Sequence, residues 1–178
     1  MIYYATPYNT AKNLGLAYNK DMERLPNDND YCCFTDGDTM FLNPYYGFQI
    51  EKIVAENPDV DMFTCMTNRV KRSYQCVKGM YECDSLSEHY AKAIELASVY
   101  NTEIVDITKE NLISGVMIMI KKSSWRKVGG FLEGGMLGID NAIHLQILKA
   151  KGKVALMTGI YLLHWYRGGD SRNKSHLL

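Results

Sequence analysis

The sequence predicts an α/β protein, with helices packed on a largely parallel sheet. Two observations carry that expectation. Short apolar runs alternate with segments of helical period along most of the chain. One of those runs ends in paired carboxylates, as strands do where α/β proteins open their ligand crevices. In order, Ile2-Tyr3-Tyr4-Ala5 reads as a first strand and 6–10 as a loop. Leu14, Ala17, Tyr18, Met22 and Leu25 follow at helical spacing until Pro26 stops the helix. Tyr31-Cys32-Cys33-Phe34-Thr35 is a buried strand that leads into Asp36-Gly37-Asp38. Asn43-Pro44 starts a second helix, an N-cap followed by proline in the first turn, and it runs to Asn57-Pro58. Residues 60–66 form a strand and 67–84 a loop. Ser85 and Glu88 match a capping box, opening a helix with Tyr90, Ala93, Ile94 and Ala97 on one face. Residues 116–120 are a continuous apolar strand, and 123–128 a short helix ended by Gly129-Gly130. Residues 140–151 form a helix closed by Gly152, and 154–166 the last strand.

A chain of 178 residues is one domain with room for a real core. Lys plus Arg and Asp plus Glu both number 20, so no charge imbalance recruits nucleic acid or an anionic membrane. The basic clusters Arg69, Lys71, Arg72 and Arg167, Arg172, Lys174 read first as solvated surface. Cys32, Cys33, Cys65, Cys76 and Cys83 are odd in number and hold no C-x-x-C spacing, which points to reduced thiols and no zinc cluster. No basic-then-apolar leader opens the chain, and its longest mainly apolar stretch, 154–166, is too short to cross a bilayer. The expectation is a cytoplasmic protein without a transmembrane segment, with peripheral membrane contact left open.

Asp36-Gly37-Asp38 carries the chemistry. Two carboxylates held that close repel each other unless a cation lies between them. Gly37 has no Cβ, so a ligand can approach the backbone. The pattern predicts a divalent metal site at a strand end, against the simpler reading of a polar turn.

Four stretches in order then resemble a GT-A glycosyltransferase of the broad class that includes the family 2 enzymes, with a Rossmann-like mixed sheet flanked by helices. Tyr4-Ala5-Thr6-Pro7-Tyr8-Asn9 is similar to the first strand and its nucleotide-contacting loop. Residues 12–19, Lys12 to Asn19, resemble the helix ahead of the metal motif, and Asp36-Gly37-Asp38 resembles the DxD motif. Ser114 to Ile120, the W-x-x-V-G-G-F run from Trp125 to Phe131, and Gly138-Ile139-Asp140 resemble the acceptor side, with His164 after the final strand. Nothing between about Asn68 and Asn111 is matched.

The resemblance implies one catalytic domain over 1–178: a nucleotide-sugar and metal half (1–66), an acceptor half (67–166) and a tail (167–178). It implies transfer of a sugar from a nucleotide-diphosphate sugar, UDP by default, to a hydroxyl of a glycan or glycoconjugate, with inversion. Asp38 would ligate the metal directly, Asp36 would hold the ribose or a metal-bound water, and His164 would be a second protein ligand. An imidazole among carboxylates suits Mn²⁺ better than Mg²⁺. Asp140 would be the general base, with helix N-capping as its competing role and Glu133 in reserve. Thr6, Pro7 and Tyr8 would line the nucleoside, Asn13 and Asn19 would reach base or ribose, and Arg167 and Lys174 would bring cations to the diphosphate. Ordinary loop, helix-face and chain-end readings compete for all of these.

Two other readings remain. Asp36-Gly37-Asp38-Thr39 is also similar to the D-x-D-x-T start of a haloacid-dehalogenase-type phosphatase, with Asp36 as nucleophile and Asp38 as acid. The later acidic pair that such a site needs does not follow. A non-catalytic calcium-, sugar- or nucleotide-binding module is the other, although Met40 stands where a calcium loop wants an oxygen.

Overall fold

A computed structural model describes residues 1–110 and 112–166. The strands are β1 (Ile2–Ala5), β2 (Tyr31–Thr35), β3 (Thr39–Phe41), β4 (Met62–Thr67), β5 (Ile104–Asp106), β6 (Met117–Lys121) and β7 (Val154–His164). The helices are α1 (Leu14–Arg24), α2 (Tyr46–Glu56), α3 (Leu86–Tyr100), α4 (Lys122–Lys127) and α5 (Ile139–Lys149). The strands form one open mixed sheet in the order β1-β2-β6-β4-β7-β3, with β5 beside β7, so the class is mixed α/β.

The sheet is not largely parallel. β1 pairs β2 in parallel, but β2–β6, β4–β6 and β3–β7 are antiparallel. The parallel expectation came from the alternation of apolar runs with helical segments along the chain. That alternation fixes the order of elements, while strand direction is set by pairings remote in sequence, such as β2 with β6.

Two compact units are distinguishable, each assembled from separated segments. The first comprises Met1–Gly37, Asp59–Thr64 and the described residues of 106–155. Its core is aromatic and aliphatic: the Tyr18 ring lies 4.5 Å from that of Phe34 and 4.6 Å from that of Phe131. Met119, Ile120, Met62 and Phe63 are fully buried where β6 meets β4. The second unit comprises Asp38–Pro58, Cys65–Val105 and the described chain from Leu156 onward. There Ala93 and Leu96 of α3 pack on Tyr161 and Leu163 of β7, with Leu42, Met66 and Val77 around them.

Several local expectations shift. Asn43 does not cap α2; its Oδ1 accepts the Tyr45 amide at 3.0 Å, an Asx turn, and the helix starts at Tyr46. Ser85 does cap α3, accepting the Glu88 amide at 3.4 Å. The buried face of α3 is His89, Ala93 and Leu96, while Tyr90 and Ile94 are exposed. α5 is closed by Ala150, with Lys151 taking the left-handed position (φ 58°) ahead of Gly152. The segment 68–84 is more than a surface loop. Residues 73–75 form a 3₁₀ turn, Cys76 bridges to Thr67, and Asn68, Arg69, Val70, Gln75 and Met80 are buried. Arg69, read from sequence as solvated, is 2% exposed.

Candidate functional site

In the second unit the short β3 sets the geometry. Its antiparallel register with β7 puts Thr39 opposite His164 and Phe41 opposite Leu162, and the ladder continues where the Trp165 amide donates to the Asp38 carbonyl at 2.8 Å. The carboxylate that follows the first-quarter strand thus meets the imidazole that ends the last one. His164 Nε2 lies 3.6 Å from Asp38 Oδ2. His164 is buried, and the Asp38 side chain is about one-third exposed, at 37%.

The other ring nitrogen fixes what the pair can do. His164 Nδ1 is 2.7 Å from the Arg69 carbonyl. A carbonyl only accepts, so Nδ1 carries the proton, and in the neutral ring Nε2 presents a lone pair toward Asp38. Two electron-pair donors then face each other, an arrangement that a shared cation relieves. At ordinary metal–ligand lengths of about 2.1 Å one ion can touch both atoms. The doubly protonated ring would instead form an ion pair with Asp38. Among the described residues no group of three or more His, Cys, Asp or Glu side chains converges on a metal position. Among the described residues, an ion held at Asp38 and His164 finds no third such side chain, and water or substrate oxygens could complete its shell.

The first unit carries Asp36 and Asp140. The Asp36 amide donates to the Val116 carbonyl at 3.3 Å, and the Gly115 amide donates to Asp140 Oδ2 at 3.0 Å. The two acids are thus anchored on consecutive residues. A Cβ on Gly115 would stand 3.0 Å from the Asp140 Cβ, so a glycine there lets the carboxylate reach the amide. Asp140 Oδ1 also accepts the Asn141 amide at 2.8 Å. The α5 cap is Gly138, and Asp140 lies in the first turn instead of capping it. Tyr18 senses both acids: burial first, then the charges of Asp36 and Asp140, push its phenol far up.

The remaining sequence-predicted positions divide. Thr6 and Tyr8 are exposed and Pro7 is half-buried, and Thr6 Cγ2 would lie 3.8 Å from a Cβ on Gly37. Asn13 caps α1, its Oδ1 accepting the Leu16 and Gly134 amides at 3.1 and 3.0 Å. Asn19 spends its whole amide inside the protein. Its Oδ1 accepts Trp125 Nε1 and the Phe131 amide at 2.9 and 2.8 Å, and its Nδ2 donates to the Phe131 carbonyl and Glu133 Oε1, both at 3.0 Å. Asn19 therefore holds the W-x-x-V-G-G-F turn, and Glu133 is tied to Asn19. Arg167 and Lys174 lie outside the described residues, as do Arg172 and His176. Sequence reasoning missed Arg69, Asn68, Gly115 and Tyr18. Only Gly115 carried a signal, a glycine immediately before an apolar strand.

No family model matches this sequence, and no curated protein matches it. The class that fold and site define is a mixed α/β protein with an aspartate just ahead of β3 facing a buried histidine at the end of β7. No helix among the described residues is long and apolar enough to cross a membrane.

Proposed function

We propose that this protein is a GT-A-type glycosyltransferase that moves a sugar from a nucleoside-diphosphate sugar to a hydroxyl acceptor, a glycan or glycoconjugate, with a divalent cation at Asp38 and His164. The observation that carries the reading is the approach of His164 Nε2 to Asp38 Oδ2, which joins the D-G-D motif to the last strand. Mn²⁺ is favoured over Mg²⁺ because one of the two donors is an imidazole nitrogen. When bound, the cation would neutralise charge on the departing diphosphate.

The protein's own groups supply the rest. Asp140, whose carboxylate accepts two backbone amides, accepts the proton of the acceptor hydroxyl as that oxygen attacks and the diphosphate departs, which gives inversion. Glu133 is the alternative base. Asp36 holds the ribose. Thr6, Pro7 and Tyr8 line the nucleoside, with UDP the default. Asn13 and Asn19 support the loop and turn, and Arg167 and Lys174 remain candidate diphosphate cations.

A thermal-shift matrix of nucleoside diphosphates with and without Mn²⁺ tests this. The expected result is stabilisation only when both are present, about 2.7 kcal/mol at a hundredfold excess over Kd, or roughly 5–10 °C. Asp38→Ala should abolish the joint shift and keep the melting cooperative. Absence of a joint shift with every base would overturn the reading. Release of phosphate from small esters, lost in Asp36→Asn, would replace it with the phosphatase.

A further inference from the structure

His164 is held at more points than a strand-end residue needs. Its amide donates to Asn68 Oδ1 at 2.8 Å, and its carbonyl accepts from Asn68 Nδ2 at 3.2 Å. One side-chain amide thus satisfies both backbone groups of His164, as a neighbouring strand would. The next residue takes the ring, because the Arg69 carbonyl accepts Nδ1–H. Asn68 is fully buried, so these bonds form away from competing water.

The Arg69 carbonyl is itself immobilised from the far side. The buried guanidinium donates Nε to the Tyr81 carbonyl at 2.8 Å, and one terminal nitrogen to the Cys83 carbonyl at 3.3 Å and to Asp84 Oδ1 at 2.9 Å. His89 Nε2 reaches the same Cys83 carbonyl at 2.9 Å, and its Nδ1 lies 2.7 Å from the Tyr161 hydroxyl. The carbonyl rule makes Nε2 the protonated nitrogen of neutral His89, the opposite tautomer to His164.

We propose that Asn68 and Arg69 are positioning residues that lock His164 as its Nδ1–H tautomer and turn the Nε2 lone pair to Asp38. Neither touches substrate or ion in this scheme; both act through His164. The tautomer statement stands on its own, while its consequence for cation affinity rests on the function proposed above. Losing such a partner behind a metal-binding imidazole typically costs 10–100-fold in metal affinity.

The test is long-range ¹H–¹⁵N imidazole spectroscopy on the intact, metal-free protein at about pH 8, where histidine is ordinarily neutral. His164 should show a protonated Nδ1 and a bare Nε2, with His89 as an opposite-tautomer reference in the same spectrum. An Nε2–H form of His164, or an averaged mixture, overturns the proposal without any variant. Asn68→Ala should then average the His164 tautomers, leave His89 unchanged, and weaken Mn²⁺ binding by about 10–100-fold. Should Asn68→Ala not fold, Asn68→Asp keeps the acceptor for the His164 amide and loses the donor, and an intermediate loss is expected. A folded Asn68 variant with wild-type tautomer and Mn²⁺ affinity would refute the clamp. Wild-type protein with the Nδ1–H form but no Mn²⁺ binding would support the clamp and count against the function.

Discussion

At the scale of single residues, the polar groups with most to say are those buried away from water. His144 on α5 is 0% exposed, and neither ring nitrogen has a hydrogen-bond partner among the described residues. Burial holds its pKa below the ordinary value of 6.5. The unfolded chain therefore binds a proton near that pH while the folded chain resists it. The stability that neutral His144 permits is present above about pH 6.5 and drains away as pH falls below it. His144→Leu, similar in size and without polar atoms, should raise stability by about 1 kcal/mol at neutral pH. It should also flatten the decline between pH 7.5 and 5.5, read from urea midpoints. A variant whose midpoints fall in parallel with wild type would show that His144 has a partner the geometry conceals. The sequence places His89 and His144 within helices and His164 at the end of the last strand, but it does not show which ring finds a partner. Their different roles come from what lies opposite each ring.

At the scale of elements, α1 shows what was readable and what was not. Its span, its apolar face and its end at Leu25 ahead of Pro26 follow from spacing. Its docking does not, because the partner turn is 112 residues away along the chain. A Cβ on Gly15 would stand 1.9 Å from the Leu132 carbonyl oxygen and 2.7 Å from its carbon. Both are backbone atoms, which cannot swing aside as a side chain can. Gly15→Ala should therefore cost at the upper end of overpacking, about 3 kcal/mol, and lower the calorimetric Tm by roughly 6–12 °C. A loss under about 1 °C would mean that α1 and the turn slide apart without penalty. α3 went astray for a related reason. Its apolar period selects Tyr90 and Ile94, yet a histidine takes the core position because Tyr161 and Cys83 supply polar partners there. The three residues of β3 are too few to show a period, although their register brings Asp38 to His164.

For the whole molecule, the mixed α/β class was legible because alternation of apolar period survives any topology. Strand direction and the division of the chain were not, since both depend on pairings remote in sequence. The first unit draws on three separated segments, and so does the second. A boundary near residue 66, natural from sequence order, therefore cuts through both. Residues 1–66 retain β1 and β2, but β2 pairs over its whole length with β6, from Tyr31 opposite Lys121 to Thr35 opposite Met117. Without 106–155 the buried run Tyr31 to Phe34 becomes an unpaired apolar edge, and the Tyr18 ring loses Phe131. The fragment also keeps α2, β3 and most of β4, but β3 and β4 lose their partners β7 and β6. The remaining parallel pair of four- and five-residue strands buries too little to offset chain entropy. The fragment 1–66 should accordingly give a collapsed, poorly dispersed ¹H–¹⁵N spectrum, where the full chain gives a dispersed one. A dispersed, cooperatively melting fragment would mean that β2 finds its stability within the first segment, and that β6 is an addition to that core instead of a condition of it.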